Sequence, residues 1–319
     1  MINKKQSLKI NNWQKMIMPI ALFCVVLVIG LKYPAFLTQR NLINILRQSC
    51  ATGLLAIGIA FVFFVGGMDL SIAANMGFSG VIGTLLLSKG INPIICCIAV
   101  ITCSTFIGSI NGFAVAKLRM IPFIVTLSTM YIADGATVWI TGGKSITGIP
   151  ESFMDVYASK IGMIPLPVII LFLFGLITTL IIRRSYLGRW IYAVGINPNA
   201  ARVSGIPVDR VKLTMYMLSG LFAGLAAILT IARLGSASAS IGPSTLVLDA
   251  ASSAVVGGVS MNGGVGTPLG AIFGALLRTL ISNSMNMIGV TYYITLVVKG
   301  IIIILFIAFE NLTKNRNRV

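Results

Sequence analysis

The sequence predicts an all-α membrane protein, a polytopic helical bundle of about ten transmembrane helices. Three observations lead there. Apolar residues make up 57% of the 319 positions and charged residues only 10%, with a mean hydropathy of +0.98; a soluble domain carries about a quarter charged residues. Apolar runs long enough to cross a bilayer, about 20 residues at 1.5 Å each, recur along the chain. The connecting segments alternate between rich and poor in Lys and Arg, as the positive-inside bias requires.

The first apolar run, 15–32, follows Lys4, Lys5 and Lys9 and looks at first like a secretory leader. It ends in Leu31-Lys32-Tyr33-Pro34 with no small-x-small cleavage site, so it reads as an uncleaved first span. Further spans are expected at 46–66, 70–88, 91–116, 122–141, 164–182, 213–233, 244–262, 266–285 and 290–309. Residues 41–49 (NLINILRQS) are amphipathic and are expected to lie on the outer interface before the second span begins. The runs 70–88, 122–141 and 244–262 are rich in Gly, Ala, Ser and Thr, which suits helices packed closely in the interior, some of them broken or re-entrant. Glycines four apart (Gly108 and Gly112; Gly220 and Gly224; Gly266, Gly270 and Gly274) put small residues on one helix face, most simply for packing within the chain.

Orientation follows from the basic residues. With the N-terminus inside, the inner segments hold Lys4, Lys5, Lys9 and Lys15; Lys117 and Arg119; Arg183, Arg184, Arg189, Arg202, Arg210 and Lys212; and Lys314, Arg316 and Arg318. The outer segments hold Lys32, Arg40, Arg47, Lys89, Lys144, Lys160 and Arg233. The bias is roughly two to one, which places both termini in the cytoplasm and agrees with an even number of spans. The expected organisation is a basic N-terminus at 1–14, one transmembrane domain at 15–309 with a cytoplasmic loop at 183–212, and a basic tail at 310–319.

The net charge of +17 is explained by these loops, and nucleic acid is not expected as a partner. Cys24, Cys50, Cys96, Cys97 and Cys103 lie in apolar runs without a CxxC pair, so neither a disulfide framework nor a metal site is expected. There is no histidine, the commonest general base and transition-metal ligand.

The loop 195–212 (GINPNAARVSGIPVDRVK) carries unusual punctuation. Asn197 is a good N-cap, Pro198 fits the first helical position, and Gly205 can end the helix in the left-handed conformation. A basic helix of about two turns, through Ala200, Ala201 and Arg202, is predicted between two spans. On its own it is equally an ordinary surface helix.

Segment 186–212 resembles the cytoplasmic signature of the branched-chain amino acid and ribose-type permeases, the membrane subunits of ATP-binding-cassette importers. Matches continue in order at 41–58, 66–71 (GGMDLS), 110–130, 248–267 (LDAASSAVVGGVSMNGGVGT) and 290–300. The ribose-type, simple-sugar branch is most similar. The resemblance implies a vitamin B12-importer-like permease fold with ten spans. It implies two permease subunits, identical or not, around a central path, and an extracytoplasmic substrate-binding protein that delivers cargo. It implies an ATPase, expected as a fused double ATPase, that grips the helix after Asn197. Asn197, Pro198, Ala200, Ala201, Arg202 and Gly205 are then the coupling residues. No cofactor is expected on this chain; ATP and Mg would sit on the ATPase, and membrane lipid surrounds the bundle.

The residues themselves agree with that division of labour. The nearest approach to a Walker A loop is Gly143-Lys144-Ser145, but the glycine required upstream is replaced by Val138. Without it the phosphate cradle is missing, and the chain is expected to be a transport subunit rather than an enzyme.

Polar residues in apolar context are the candidates for a translocation path or gate: Asp69, Ser71, Asn75, Asn111, Asp134, Asp249 and Asn262. An unpaired charge at the bilayer centre costs about 2.5–3.5 kcal/mol on insertion scales, so such side chains usually face the bundle interior. Asp69 could equally be an N-cap after the Gly66-Gly67 break. The family pattern has an Arg near Asp134 and reads Glu-Leu-Asp where this chain has Val247-Leu248-Asp249, so ribose itself is not assigned. A small polar solute such as a monosaccharide is expected; a sugar-like autoinducer or nucleoside would use the same architecture. A secondary transporter driven by an ion gradient is the alternative, and a membrane enzyme is disfavoured by the lack of clustered acids.

Overall fold

The computed structural model describes residues 30–291, 293–301 and 304. The span expected at 15–32 and the C-terminal half of that at 290–309 therefore lie almost entirely outside the described residues, as do both basic tails.

A 3-10 turn, Pro34–Leu37, leads into α1 (Gln39–Phe64), whose first turn is capped by the Thr38 side chain accepting from Asn41 N–H. At 26 residues α1 is about 39 Å long. It corrects the separate interfacial segment expected at 41–49, because those residues form the first turns of the span itself. No Gly or Pro interrupts them, and their polar groups find partners inside the chain. Asn41 exchanges hydrogen bonds with Asn283 at 3.0 and 3.1 Å, Arg47 donates to the Ala158 carbonyl at 3.2 Å, and Ile45 is buried with Phe36 and Leu280.

α2 (Ile72–Ser88) follows the Gly66-Gly67 break and is buried along most of its length. α3 (Pro93–Ala116) starts at Pro93 under an Asn92 cap, and α4 (Pro122–Thr141) stops at Gly142, whose φ of 59° is left-handed. A short helix, α5 (Glu151–Ala158), and a two-stranded hairpin, β1 (Lys160–Ile161) with β2 (Ile164–Pro165), fill the following connection. Then come α6 (Leu166–Arg184), α7 (Tyr186–Ile196), α8 (Pro198–Val203), α9 (Val208–Leu234), α10 (Ser244–Val256) and α11 (Pro268–Met287). Residues 293–301 are helical.

Among the described residues five helices, α1, α3, α4, α6 and α9, are long and apolar enough to cross a membrane; α2 and α10 are apolar but shorter. The run 244–262 is not one helix. α10 stops at Val256 because Gly257 packs directly on the Gly270 backbone and Gly258 turns left-handed with φ 83°.

α1 and α9 occupy the centre, most of their apolar length buried, while α3 and α4 present broad apolar faces outward. Phe61 packs on Phe222 of α9 with ring centroids 5.7 Å apart and on Phe64 at 6.1 Å, holding the end of α1 against α9. Most of the four-apart glycines pack within the chain as expected, but Gly266, at φ 129° before α11 begins, shares no helix face with Gly270 and Gly274. Gly108 and Gly112 meet the α9 backbone at Leu213, Tyr216 and Gly220, and Gly220 and Gly224 meet α3 at Ser104 and Ile101. A Cβ at any of these positions would press on backbone across the seam, so the two helices approach as only glycine allows.

Candidate functional site

The loop after α6 folds into two helices rather than one. α7 is capped by Ser185, whose side chain accepts from Gly188 N–H, and it lays Gly188 against the Ile182 backbone. The Asn197 carboxamide oxygen then accepts from both Asn199 and Ala200 N–H at 3.0 Å, with Pro198 at the first position, so α8 begins as its residues predict. Gly205 ends it with φ 81°, while Gly205 and Ile206 N–H donate to the Arg202 and Ala201 carbonyls. At six residues, about 9 Å, the helix matches the roughly two turns expected.

Ala201 is buried beneath α8; Ala200, Arg202 and Gly205 are exposed. Arg202 Nη2 pairs with Asp209 Oδ1 at 2.9 Å, tying the end of α8 to the first turn of α9. Two apolar side chains flank it in the open: Ile196, 70% exposed, and Val203, 90% exposed. Neither was a candidate on sequence, where a lone Ile or Val among polar residues is unremarkable.

The base of this unit grips the bundle. Gly195 lies against the Phe64 carbonyl at the end of α1, and Gly264 N–H donates to the same carbonyl at 3.0 Å. Tyr192 O–H donates to the Gly266 carbonyl at 2.7 Å. Burial pushes the Tyr192 phenol up, offset in part by Arg183, which keeps it a donor at neutral pH. The glycine-rich segment between α10 and α11 is thus bonded to both α1 and α7. Asn262 is exposed on that segment, beside Gly66.

Three of the polar candidates, Asp69, Ser71 and Asn111, meet in one buried network, and Asn75, one turn after Ser71, has buried partners of its own. Asp69 Oδ1 accepts from Ser71 N–H at 3.0 Å and from Ser71 Oγ–H at 2.6 Å, and Oδ2 accepts from Ser219 Oγ–H at 2.7 Å. Asn111 Nδ2 donates to Ser71 Oγ at 2.8 Å, and Asn111 Oδ1 accepts from Thr129 Oγ1 at 2.6 Å. Asn75 Nδ2 donates to the Ser104 carbonyl at 2.9 Å and Asn75 Oδ1 accepts from Ser79 at 3.2 Å. Tyr216 O–H donates to the Met68 carbonyl at 3.1 Å. Asp69, Ser71, Asn75 and Asn111 are each at most 4% exposed. The α1–α2 break, α2, α3, α4 and α9 are joined through them. Ser219, Tyr216, Ser104 and Thr129 were not candidates, because a hydroxyl every few residues along a span is ordinary and only the fold shows which of them converge.

Asp249 stands apart from that network. It forms an ion pair with Arg278 of α11. Its own backbone carbonyl accepts from Ser252 and Ser253. Asp134, half-buried on α4, has no hydrogen-bond or ion-pair partner among the described residues. Among the described residues no group of His, Cys, Asp and Glu could hold a metal ion.

Residues 41–307 match the family described as the branched-chain amino acid transport system permease component. The chain is 36% identical over 293 residues to a ribose import permease of Bacillus subtilis (strain 168), covering 91% of each protein. It is 36% identical over 280 residues to a D-allose transport system permease of Escherichia coli (strain K12), covering 87% of this chain and 85% of the relative. It is 34% identical to a galactose/methyl galactoside import permease of Haemophilus influenzae, covering 88% of each. No solved structure gives a significant match. With its apolar spans and its capped, exposed helix between α7 and α9, this all-α, multi-pass membrane chain belongs to the permease-component family of the branched-chain amino acid transport system.

Proposed function

We propose that this chain is the membrane-spanning subunit of an ATP-binding-cassette importer that moves a monosaccharide or closely similar polar solute inward. In this reading it has ten spans in a vitamin B12-importer-like arrangement, with both termini and the segment 183–212 in the cytoplasm. α8 is the coupling helix, docked in a partner ATPase that hydrolyses ATP and holds its Mg. A second permease subunit and an extracytoplasmic binding protein complete the transporter. The relatives named for ribose, allose and galactose support a sugar cargo.

The observation that carries the reading is α8 itself. It is capped at both ends, projects Ile196 and Val203 into the open, and sits on a base bonded to the ends of α1 and α11. A force on it would reach the bundle through Phe64 and Gly266. The buried network around Asp69 acts as the fixed frame of the bundle, and Asp134 is the strongest remaining candidate for a residue on the path.

Asp134, without a partner among the described residues, also favours a second reading, transport coupled to a proton gradient. Uptake into vesicles separates the two. Uptake that persists when the proton gradient is collapsed and stops when ATP is withdrawn supports the ATP-driven importer; the opposite pattern overturns it.

A further inference from the structure

A groove with a volume of about 340 Å³ opens between α6, α7 and α9, with Phe61 of α1 as its floor. Its walls are almost wholly apolar, and two of them, Ile181 and Leu187, are 49% and 41% exposed. Such a lining offers a sugar too few hydrogen-bond partners. The groove lies at the basic end of the bundle, between the Arg183-Arg184 end of α6 and the first turns of α9. Among the described residues Arg210 is the one charged side chain lining it. Trp190 lines it too and stacks edge-on against Tyr186 at 4.9 Å, the kind of aromatic pair that sits at the headgroup level of a bilayer.

We propose that this groove holds an acyl chain of an anionic phospholipid, with the headgroup phosphate paired to Arg210. The apolar volume takes the chain, the exposed guanidinium takes the phosphate, and the aromatic pair marks the boundary between them. Basic pockets between membrane helices at the cytoplasmic side recognise lipid headgroups in this way. Because Pro207 also lines the groove, the lipid contacts the connection between α8 and α9 directly. A bound lipid therefore braces the root of α8. The inference needs only that the chain spans a membrane and holds whatever the cargo is.

Native mass spectrometry of the full-length chain, released from detergent with equal phosphatidylglycerol and phosphatidylethanolamine, tests it. The wild type is expected to retain phosphatidylglycerol about fivefold over phosphatidylethanolamine, the effect of one basic side chain near an anionic headgroup. Arg210→Gln, at an exposed position, is expected to equalise the two lipids without lowering total retention. Leu218→Trp, which fills the groove, is expected to lose both; Ile181→Trp, on an exposed wall, serves if that variant does not fold. Millimolar inorganic phosphate is expected to leave retention unchanged. A wild type that retains neither lipid or both equally, an Arg210→Gln chain that keeps the preference, or displacement by phosphate alone overturns the proposal.

Discussion

Asp69 and Ser219, 150 residues apart, meet through a 2.7 Å hydrogen bond in which the serine hydroxyl donates to the carboxylate inside the bundle. The bond joins the break before α2 to the middle of α9. It decides how a buried acid with no cationic partner among the described residues can be kept: three O–H and N–H donors replace water around it.

Ser219→Ala removes one of those donors and is expected to destabilise the chain by about 1.5–3 kcal/mol, the range for a hydrogen bond to a charged group. Asp69→Asn is expected to cost much less, because an amide oxygen can still accept from Ser71 while its NH2 donates to the Ser219 hydroxyl. Thermal unfolding in detergent ranks the two variants. If Asp69 belongs to the frame, the Asn variant also transports; a stable Asp69→Asn chain without uptake would place the charge itself in the transport step.

Arg278→Met leaves Asp249 unpaired in a low-dielectric site. The expected loss is about 3 kcal/mol, the low end for breaking a buried pair, since both side chains keep some exposure. The double variant Asp249→Asn with Arg278→Met should recover most of it. A double-mutant cycle measured by unfolding gives the coupling, and a value near zero would remove the pair from the account.

Gly205→Val forces a β-branched residue into φ 81°, although no atom within 4 Å obstructs its Cβ. The strain is therefore all in the backbone, about 1–2 kcal/mol, and falls on the end of α8. Insertion and expression should remain normal while substrate-stimulated ATPase activity of the assembled transporter falls strongly. Gly205→Asn, which tolerates the left-handed region better, should retain more activity.

Arg202→Ala breaks an exposed ion pair with Asp209, so its effect on stability should be below about 1 kcal/mol. Uptake measured beside thermal stability separates docking from folding. A clear loss of uptake with unchanged stability assigns Arg202 to the ATPase contact, and a parallel loss of both assigns it to folding.

The caps of α8 were legible because Asn197, Pro198 and Gly205 each act locally, through one hydrogen bond or one dihedral angle. The long apolar helices were legible from composition, but 244–262 read as one span although Gly257 and Gly258 end α10 inside it. The interfacial segment at 41–49 misled because amphipathicity looks the same whether the polar face meets water or, as here, Asn283 and the Ala158 carbonyl. The Asp249–Arg278 pair and the donors around Asp69 come from distant positions, and nothing local marks which serine among many will converge on an acid. Ile196 and Val203 were invisible for the opposite reason: their exposure depends on how α7 and α8 stand out from the bundle.

In the proposed transporter the ATPase grips this chain at α8. A photoreactive residue at Val203, in the transporter assembled in a lipid disc, tests it most directly. Trp139 is the control, 85% exposed at the far end of α4, near the end of α9 remote from α8. The account predicts that light cross-links position 203, and not position 139, to the ATP-binding subunit, in a manner that changes when nucleotide is added. An assembled, active transporter in which position 203 gives no cross-link to that subunit would contradict it.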